Sequence, residues 1–360
     1  MKRHVQGLNM AATAIVASAI GLPAMAAPLD FAPADRKIGY VLIAKNWATF
    51  TSANNTVDCP QGMNDGPREQ FAALNPPGKE GALMDARLER ERAIWHPSTT
   101  AEKFAFKEPV GKVISGLNLD GKVDATDFTS PDGEPGVDNQ LFRVLGCVAN
   151  YRVGGTRYNQ FNVWNERFDF NRVVIELTNV DSLLDDDDVD VAIYKGKDRM
   201  LLSATGNGYV AGGTQRIDAR FGKPFERHMK GRIKDGVLTT DPVDARLPET
   251  SPQQDVTYYD IRDFRFKLNL TLETAEGLWG GYTKIDNFYY QAIKQWSTAQ
   301  LAYGQEAAPS VFRALHRHAD AYPDPKTGAN TAISSAMQVK FVQVHIQHPP
   351  AEPKKVADAR

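Results

Sequence analysis

Apolar and polar residues alternate with a period of two along much of the chain after about residue 161. The clearest run is 264–272, in which every second residue is phenylalanine or leucine, and shorter runs occupy 173–178 and 189–193. Such alternation places one side of a strand on a core and the other in water, which is typical of antiparallel sheets. An earlier, almost continuously apolar run at 37–44 predicts a buried strand.

The last alternating run changes phase partway along its length. Its apolar residues are Met337, Val339 and Phe341, followed by Val342, Val344 and Ile346. A slip of one residue in an otherwise continuous strand predicts a β-bulge at this point.

Three stretches predict helices. Residues 82–95 are rich in helix formers and are followed by His96-Pro97, which stops a helix. Residues 287–303 carry an apolar stripe after Asp286, which is suited to cap the helix, and residues 311–321 follow Ser310 as a second cap.

Strands dominate, so the sequence predicts a mainly β fold with a few helical insertions. Antiparallel sheets packed as a β-sandwich or jelly roll fit best, and an α+β fold is the alternative. The expected organisation is an irregular, partly helical layer over 27–155 that carries the acidic loops. A β-rich, sandwich-like domain over 156–348 and a disordered tail over 349–360 follow it.

The first 26 residues have the pattern of a cleaved signal peptide. Lys2 and Arg3 precede an apolar run at 11–22, and Ala24-Met25-Ala26 supplies the small residues that signal peptidase accepts, with cleavage before Ala27. The run is shorter than the roughly 20 residues that a membrane-spanning helix needs. We therefore expect a periplasmic or secreted protein that has no integral membrane segment after cleavage.

The charge of the chain argues against one class of function, and its two cysteines predict a disulfide. Loss of Lys2 and Arg3 leaves 44 acidic residues against 40 basic ones, a mild acidity that argues against nucleic-acid binding. The two cysteines, Cys59 and Cys147, lie in the exported part, where a disulfide is the favoured state and two buried thiols are the alternative.

The strongest chemical signal is an acidic loop at 118–127. Oxygen-bearing side chains alternate, Gly121 supplies a turn, and Val123 follows two positions later. The spacing resembles the calcium loop of EF-hand and dockerin modules, with Asn118, Asp120 and Asp127 at its third, fifth and twelfth positions. Two positions differ from that loop: Gly116 stands at the first position instead of an aspartate, and the closing residue is Asp127 instead of a glutamate. This resemblance implies a single calcium loop, without the helix pair of an EF-hand domain.

A second acidic, glycine-containing stretch at 132–139 follows directly. If the chain folds back there, both loops contribute oxygens to one hard cation, which predicts a structural Ca²⁺ site. Its predicted ligands are Asn118, Asp120, Asp124, Asp127, Asp132 and Asp138. The alternative is that these residues form exposed turns without an ion.

Two further motifs have ordinary structural explanations. The run 185–188 of four aspartates predicts a solvated hairpin loop, with a second cation site as the alternative. Trp279-Gly280-Gly281-Tyr282 predicts core packing at a strand end, with sugar-facing rings as the alternative.

The chain contains no nucleophile elbow, zinc-protease motif or phosphate-binding loop, so catalytic residues are not identified. The favoured function is a non-catalytic exported protein that binds an extracellular or envelope ligand such as a glycan. The alternatives are a secreted carbohydrate-active hydrolase that uses paired carboxylates, and a structural envelope protein.

Overall fold

The computed structural model describes most of the chain from Arg36 to Pro350. The described residues are 36–49, 58–64, 89–90, 93–94, 96–99, 105–152, 155, 162, 171–206, 208–220, 222–249, 258–290 and 308–350. The predicted signal peptide, and the predicted tail beyond residue 350, lie outside them. No helix among these residues has both the length and the apolar character needed to cross a membrane.

The described part of the chain is built mainly from β-strands. In chain order these are β1 (Arg36–Trp47), β2 (Glu89–Arg90), β3 (Ala93–Ile94), β4 (Phe128–Thr129), β5 (Pro135–Val137), β6 (Val173–Val180), β7 (Asp186–Lys195), β8 (Gly213–Arg216), β9 (Arg227–Lys234), β10 (Val237–Thr240), β11 (Val243–Pro248), β12 (Tyr258–Leu270), β13 (Thr274–Lys284), β14 (Ala321–Pro323) and β15 (Asn330–Gln347). The α-helices are α1 (Leu141–Leu145), α2 (Ile285–Phe288) and α3 (Ala308–His318).

Eight strands form one sheet that closes on itself, in the order β1, β6, β7, β9, β10, β12, β13 and β15. The last strand of this order, β15, pairs with β1, and every pairing around the ring is antiparallel. The predicted mainly β, antiparallel fold is therefore confirmed, but as a single closed sheet rather than as two packed sheets. Closure follows from the length of β15, which pairs with β13 along one edge and with β1 along the other.

The interior of the closed sheet is filled by side chains. Alternate residues of β12, including Phe264 and Phe266, are buried in one cluster with Tyr40, Trp279 and Phe341. The aromatic rings meet edge to face, as between Phe264 and Phe266, whose ring centroids lie 4.8 Å apart. The period-two runs predicted from the sequence thus supply the core through their alternate apolar side chains, although Leu272, at the end of its run, is exposed.

The predicted bulge in β15 is wrong, and the irregularity lies in the neighbouring strand instead. β15 pairs with β13 without a register shift, whereas β1 has a shift between Leu42 and Ala44. The apolar residues that suggested a slip lie on the outer surface of β15, where Val342 and Val344 pack against Met200. This strand is apolar on both faces because a loop covers its outer side.

The bulge in β1 brings a charged residue into the core. Inward-facing residues before the bulge are Tyr40 and Leu42, and after it the phase changes so that Lys45 is buried. Lys45 Nζ lies 2.7 Å from Glu249 Oε2 and 5.7 Å from the centre of the Trp279 ring. Burial lowers the pKa of this lysine, and the adjacent carboxylate opposes that effect.

The helix predictions have mixed outcomes. Helix α3 confirms the helix predicted near 311–321, but Ser310 lies inside it because the helix begins at Ala308, with Pro309 fitting its first turn. The predicted helix at 287–303 is represented by α2, and residues 291–303 lie outside the described part. Most of 82–95 also lies outside, and the described pairs there form the ladder β2–β3, so the helix prediction is wrong for them.

Residues 105–152 form a layer that packs on the closed sheet. The Asn139 side chain donates to the carbonyls of Ala48 and Ser115 at 2.9 and 3.0 Å, and Gln140 N–H donates to Ser334 Oγ at 2.8 Å. Helix α1 buries Leu141, Val144 and Leu145 in the same cluster as the sheet interior, whereas its Phe142 packs within the layer itself. Strand β1 belongs to the closed sheet, so the sheet draws strands from both segments that the sequence distinguishes.

Cys59 and Cys147 form the predicted disulfide, with their Cα atoms 5.8 Å apart. Arg152 contacts the residues that precede both cysteines: its Nε donates to Gly146 O at 2.6 Å, and its Nη1 lies 3.6 Å from Asp58 Oδ2. The bond joins residues 88 positions apart, so it ties the segment around Cys59 to the end of α1.

Candidate functional site

The first acidic loop is closed by its own side chains. Asn118 Oδ1 accepts from Gly121 N–H at 2.7 Å, and Asn118 Nδ2 donates to Lys122 O at the same distance. Asp120 Oδ1 accepts from Lys122 N–H at 2.8 Å. These are the local side-chain-to-backbone bonds by which Asn and Asp stabilise turns, and Gly121 adopts the positive φ that the turn needs.

The second acidic loop packs against the first through Gly136. This residue has a φ of +79°, and a Cβ placed on it would lie 2.5 Å from Lys122 O and 2.7 Å from Asn118 Nδ2. Only glycine permits this approach, because any side chain would displace the first loop. The two loops therefore fold back on each other, as the sequence suggests.

Asp138 lies where the two loops meet, and it is almost fully buried. Its Oδ2 accepts from Leu119 N–H at 2.6 Å and from Asp120 N–H at 3.4 Å. Burial raises the pKa of Asp138 to about 6, and the charges of Asp127 and Asp120 add to the increase. Burial also raises the pKa of Asp320, again with a contribution from Asp127.

The predicted ligands are only partly brought together. The charges of Asp120 and Asp127 act on the Asp138 carboxylate. Asp124 instead contributes its backbone N–H, which donates to Asp127 Oδ2, and Asp132 is exposed in the turn between β4 and β5. In the part of the chain that the structure describes, no three His, Cys, Asp or Glu side chains form a group suited to hold a metal. The calcium site stays a prediction.

A groove lies on the outer face of the closed sheet, centred on β7. The strand registers place Glu176 of β6, Ala192 of β7 and His228 of β9 side by side in one row. Because Ala192 has a small side chain between two long ones, the row has a depression at its centre. This depression, which we call the β7 groove, has a volume of about 480 Å³ and is lined by Glu176, Thr178, Asp190, Val191, Ala192, Tyr194, His228, Met229 and Lys230.

Tyr194 forms one end of the β7 groove. Two imidazole rings meet it edge to face, His228 at 6.0 Å and His348 at 5.4 Å between ring centres. Burial, together with the nearby charges of Glu176 and Glu226, raises the pKa of Tyr194 to about 12. The hydroxyl therefore stays protonated at neutral pH and can donate a hydrogen bond.

Each of the two histidines is held by a carboxylate. His348 Nε2 lies 3.0 and 2.8 Å from the two carboxylate oxygens of Glu176, and His228 Nε2 lies 2.7 Å from Glu226 Oε1. Glu176 is buried although it faces outward, because its neighbours on the sheet and His348 cover it. These pairs fix the orientation of both rings around Tyr194.

The far end of the groove is also acidic. Lys230 Nζ lies between two carboxylates, 2.7 Å from Asp188 Oδ1 and 2.8 Å from Asp190 Oδ1. Asp188 belongs to the aspartate run 185–188, for which the sequence predicts a hairpin loop. Only Asp185 lies in the loop between β6 and β7, and the other three aspartates begin β7, where Asp186 pairs with Ile233 of β9. Lys234, on the same face of β9, pairs with Asp185 at 2.7 Å.

The sequence contained part of the signal for this groove. Its alternation places Glu176, Asp190 and Tyr194 on the polar side of their strands, but it does not show that β9 pairs with β7. The chain reaches β9 only after β8 and a long loop, so His228 could not be assigned to the same row. Trp279 is buried inside the closed sheet, which confirms the core-packing interpretation of that motif.

No family model, curated protein or solved structure matches this chain. The function is therefore argued from the residues of the β7 groove and of the acidic loops.

Proposed function

We propose that this is an exported, non-catalytic protein that binds a polar extracellular or envelope ligand, such as a glycan, in the β7 groove. The observation that carries the proposal is the depression over Ala192, which has hydrogen-bonding groups and the Tyr194 ring around it. Its volume falls within the range of roughly 300–1,000 Å³ that is usual for ligand pockets.

The outer face is favoured over the interior because the interior is occupied. Trp279, Phe264 and Phe266 are buried at the centre of the closed sheet and contact one another. A ligand that entered there would have to displace these rings, whereas the β7 groove is open to solvent.

The groove offers the mixture of contacts that a sugar requires. Tyr194 combines an apolar ring with a hydroxyl donor, Glu176 and Glu226 supply acceptor oxygens, and the two imidazoles supply either role. Sugar rings present hydroxyl groups around an apolar face, so they match a site with one aromatic ring and several oriented polar groups.

Filling the groove provides the test. Ala192→Leu adds volume at the centre of the row without changing any charge, and Asn269→Leu adds an apolar side chain on the exposed face of β12 as the control. Calorimetric titration against a panel of glycans is expected to show binding to the wild type and the control, and its loss in Ala192→Leu. A wild type that binds no glycan, or an Ala192→Leu variant that binds normally, would contradict the proposal.

A secreted carbohydrate-active hydrolase is the second candidate. Glu176 and Glu226 both lie close enough to the Tyr194 hydroxyl to raise its pKa, and two carboxylates in one groove are the minimum for glycoside hydrolysis. Hydrolysis predicts release of reducing ends from a bound glycan and loss of that release in Glu226→Gln, with binding retained. A glycan that is bound but left intact supports the binding function alone.

We also propose that a calcium ion stabilises the acidic loops. Burial, together with the charges of Asp127 and Asp120, raises the pKa of Asp138, and a bound cation would offset this unfavourable negative charge. Calcium is expected to raise the melting temperature and EDTA to lower it, and Asp127→Ala is expected to abolish the response. A wild-type melting temperature that changes with neither calcium nor EDTA would rule out a stabilising calcium ion.

Export is the remaining part of the proposal. The disulfide between Cys59 and Cys147 fits an oxidising compartment, since such bonds are rare in the cytosol. Cell fractionation followed by intact-mass measurement is expected to recover a periplasmic or secreted chain that begins at Ala27. Recovery of a cytosolic chain that retains residues 1–26 would contradict it.

A further inference from the structure

We infer that the ligand of the β7 groove is positively charged, specifically a glycan whose sugars carry free, non-acetylated amino groups. This inference rests on the proposed binding function and specifies its ligand class. It follows from the sign of the charges around the groove and from the position of Tyr194 among them.

Carboxylates outnumber basic side chains at this site. Glu176, Asp188, Asp190 and Glu226 lie in the groove or contact the residues that line it, and Lys230 is the one lysine or arginine of the groove lining in the described chain. The positive charge of Lys230 is shared between Asp188 and Asp190. Even if both imidazoles carry a proton, the four carboxylates outnumber the positive charges of Lys230, His228 and His348, so the groove keeps a net negative charge that attracts a cation.

Arg227, which precedes His228 on β9, does not reverse this balance. The Arg227 guanidinium donates to the main-chain carbonyls of Glu226 and Asp244, both at 2.5 Å. It is therefore directed to backbone oxygens and pairs with neither Glu176 nor Asp190 among the described contacts.

Tyr194 adds a second attraction for an ammonium group. His348 contacts both Glu176, at 2.8 Å, and the Tyr194 ring, at 5.4 Å between ring centres. His228 contacts Glu226, at 2.7 Å, and the same tyrosine ring, at 6.0 Å. A cation that contacts either carboxylate therefore lies near the tyrosine ring. The face of an aromatic ring attracts a cation within about 6 Å of its centre. An amino sugar presents a sugar ring and an ammonium group together, which matches the aromatic and the acidic features of this groove.

Two ligands that differ only in acetylation provide the test. A glucosamine tetramer and its fully N-acetylated counterpart are titrated calorimetrically into the full mature chain at mildly acidic pH, where the free amines are protonated. The free-amine tetramer is expected to bind about ten-fold more tightly or better, with an affinity that falls as salt is added. Equal or tighter binding of the acetylated form would overturn the inference and leave the proposed function standing, whereas no binding of either form would contradict both.

Charge-removing variants locate the preference. Glu226→Gln, in a half-exposed side chain, and Glu176→Gln keep the side-chain shape and are expected to reduce the preference for the free amine towards equal affinities. Glu276→Gln, which removes a carboxylate on β13 that pairs with Lys340, is the matched control and should retain the full preference. A preference that survives in both groove variants would overturn the inference.

Discussion

Removing the charge of Asp138 should stabilise the calcium-free protein, kept in EDTA, at neutral pH. Asp138→Asn keeps the shape of the side chain and leaves an oxygen that can accept from Leu119 N–H, the shorter of its two hydrogen bonds. The substitution removes only the charge, which burial and the neighbouring Asp127 and Asp120 make unfavourable.

The magnitude follows from the pKa of Asp138. The pKa rises from the ordinary value of 3.8 to about 6, so the folded state holds the proton more tightly than the unfolded state. The stabilisation from that proton is complete below pH 3.8 and is lost as the pH rises through about 6. A pKa difference of one unit between the folded and unfolded states corresponds to about 1.4 kcal/mol, so ionisation of Asp138 costs the folded state up to about 3 kcal/mol.

Urea unfolding followed by circular dichroism, repeated across pH values from about 4 to 8, measures this cost. The free energy of unfolding of Asp138→Asn should exceed that of the wild type by about 1–3 kcal/mol at neutral pH, and the difference should shrink as the pH falls. Asp132→Asn, in an exposed turn, should follow the wild-type curve. A difference between Asp138→Asn and the wild type that is independent of pH would refute the reasoning.

Three further predictions concern stability, each measured as the change in the free energy of unfolding by denaturant. Lys45→Met removes the buried cation from its carboxylate partner and should cost about 3–5 kcal/mol; a neutral effect would show that the pair is dispensable. Replacing both Cys59 and Cys147 by serine should cost about 4–5 kcal/mol, because the bond closes a loop of 88 residues, and an unchanged midpoint would contradict this. Gly136→Ala should cost more than Gly133→Ala by about 1–3 kcal/mol, because both have positive φ but only Gly136 is crowded; equal costs would contradict the packing of the loops.

The sequence predicted the inner face of the sheet well. Phe264, Phe266, Leu268 and Leu270 alternate with polar residues, and all four are buried in the core. The period of two is a local property of a strand, so it can be seen without knowledge of its partners. Closure of the sheet depends on β15 pairing with β1 nearly 300 positions earlier in the chain, and no local pattern records such a pairing.

The same limit explains what was missed at the candidate sites. The acidic loops are adjacent in sequence, so their contact through Gly136 could be expected, whereas Asp320 approaches them from beyond α3. The β7 groove combines residues of β6, β7 and β9 with His348, which follows β15. Its central depression depends on the register of three strands, which a single sequence does not specify.

Mapping of backbone amide chemical shifts during titration with a glucosamine tetramer tests the central claim most directly, because it reports both binding and its location. The largest changes are expected at Thr178, Ala192, Tyr194 and His228, which lie around the β7 groove. Changes confined to other regions of the protein, or no changes at saturating ligand, would contradict the account.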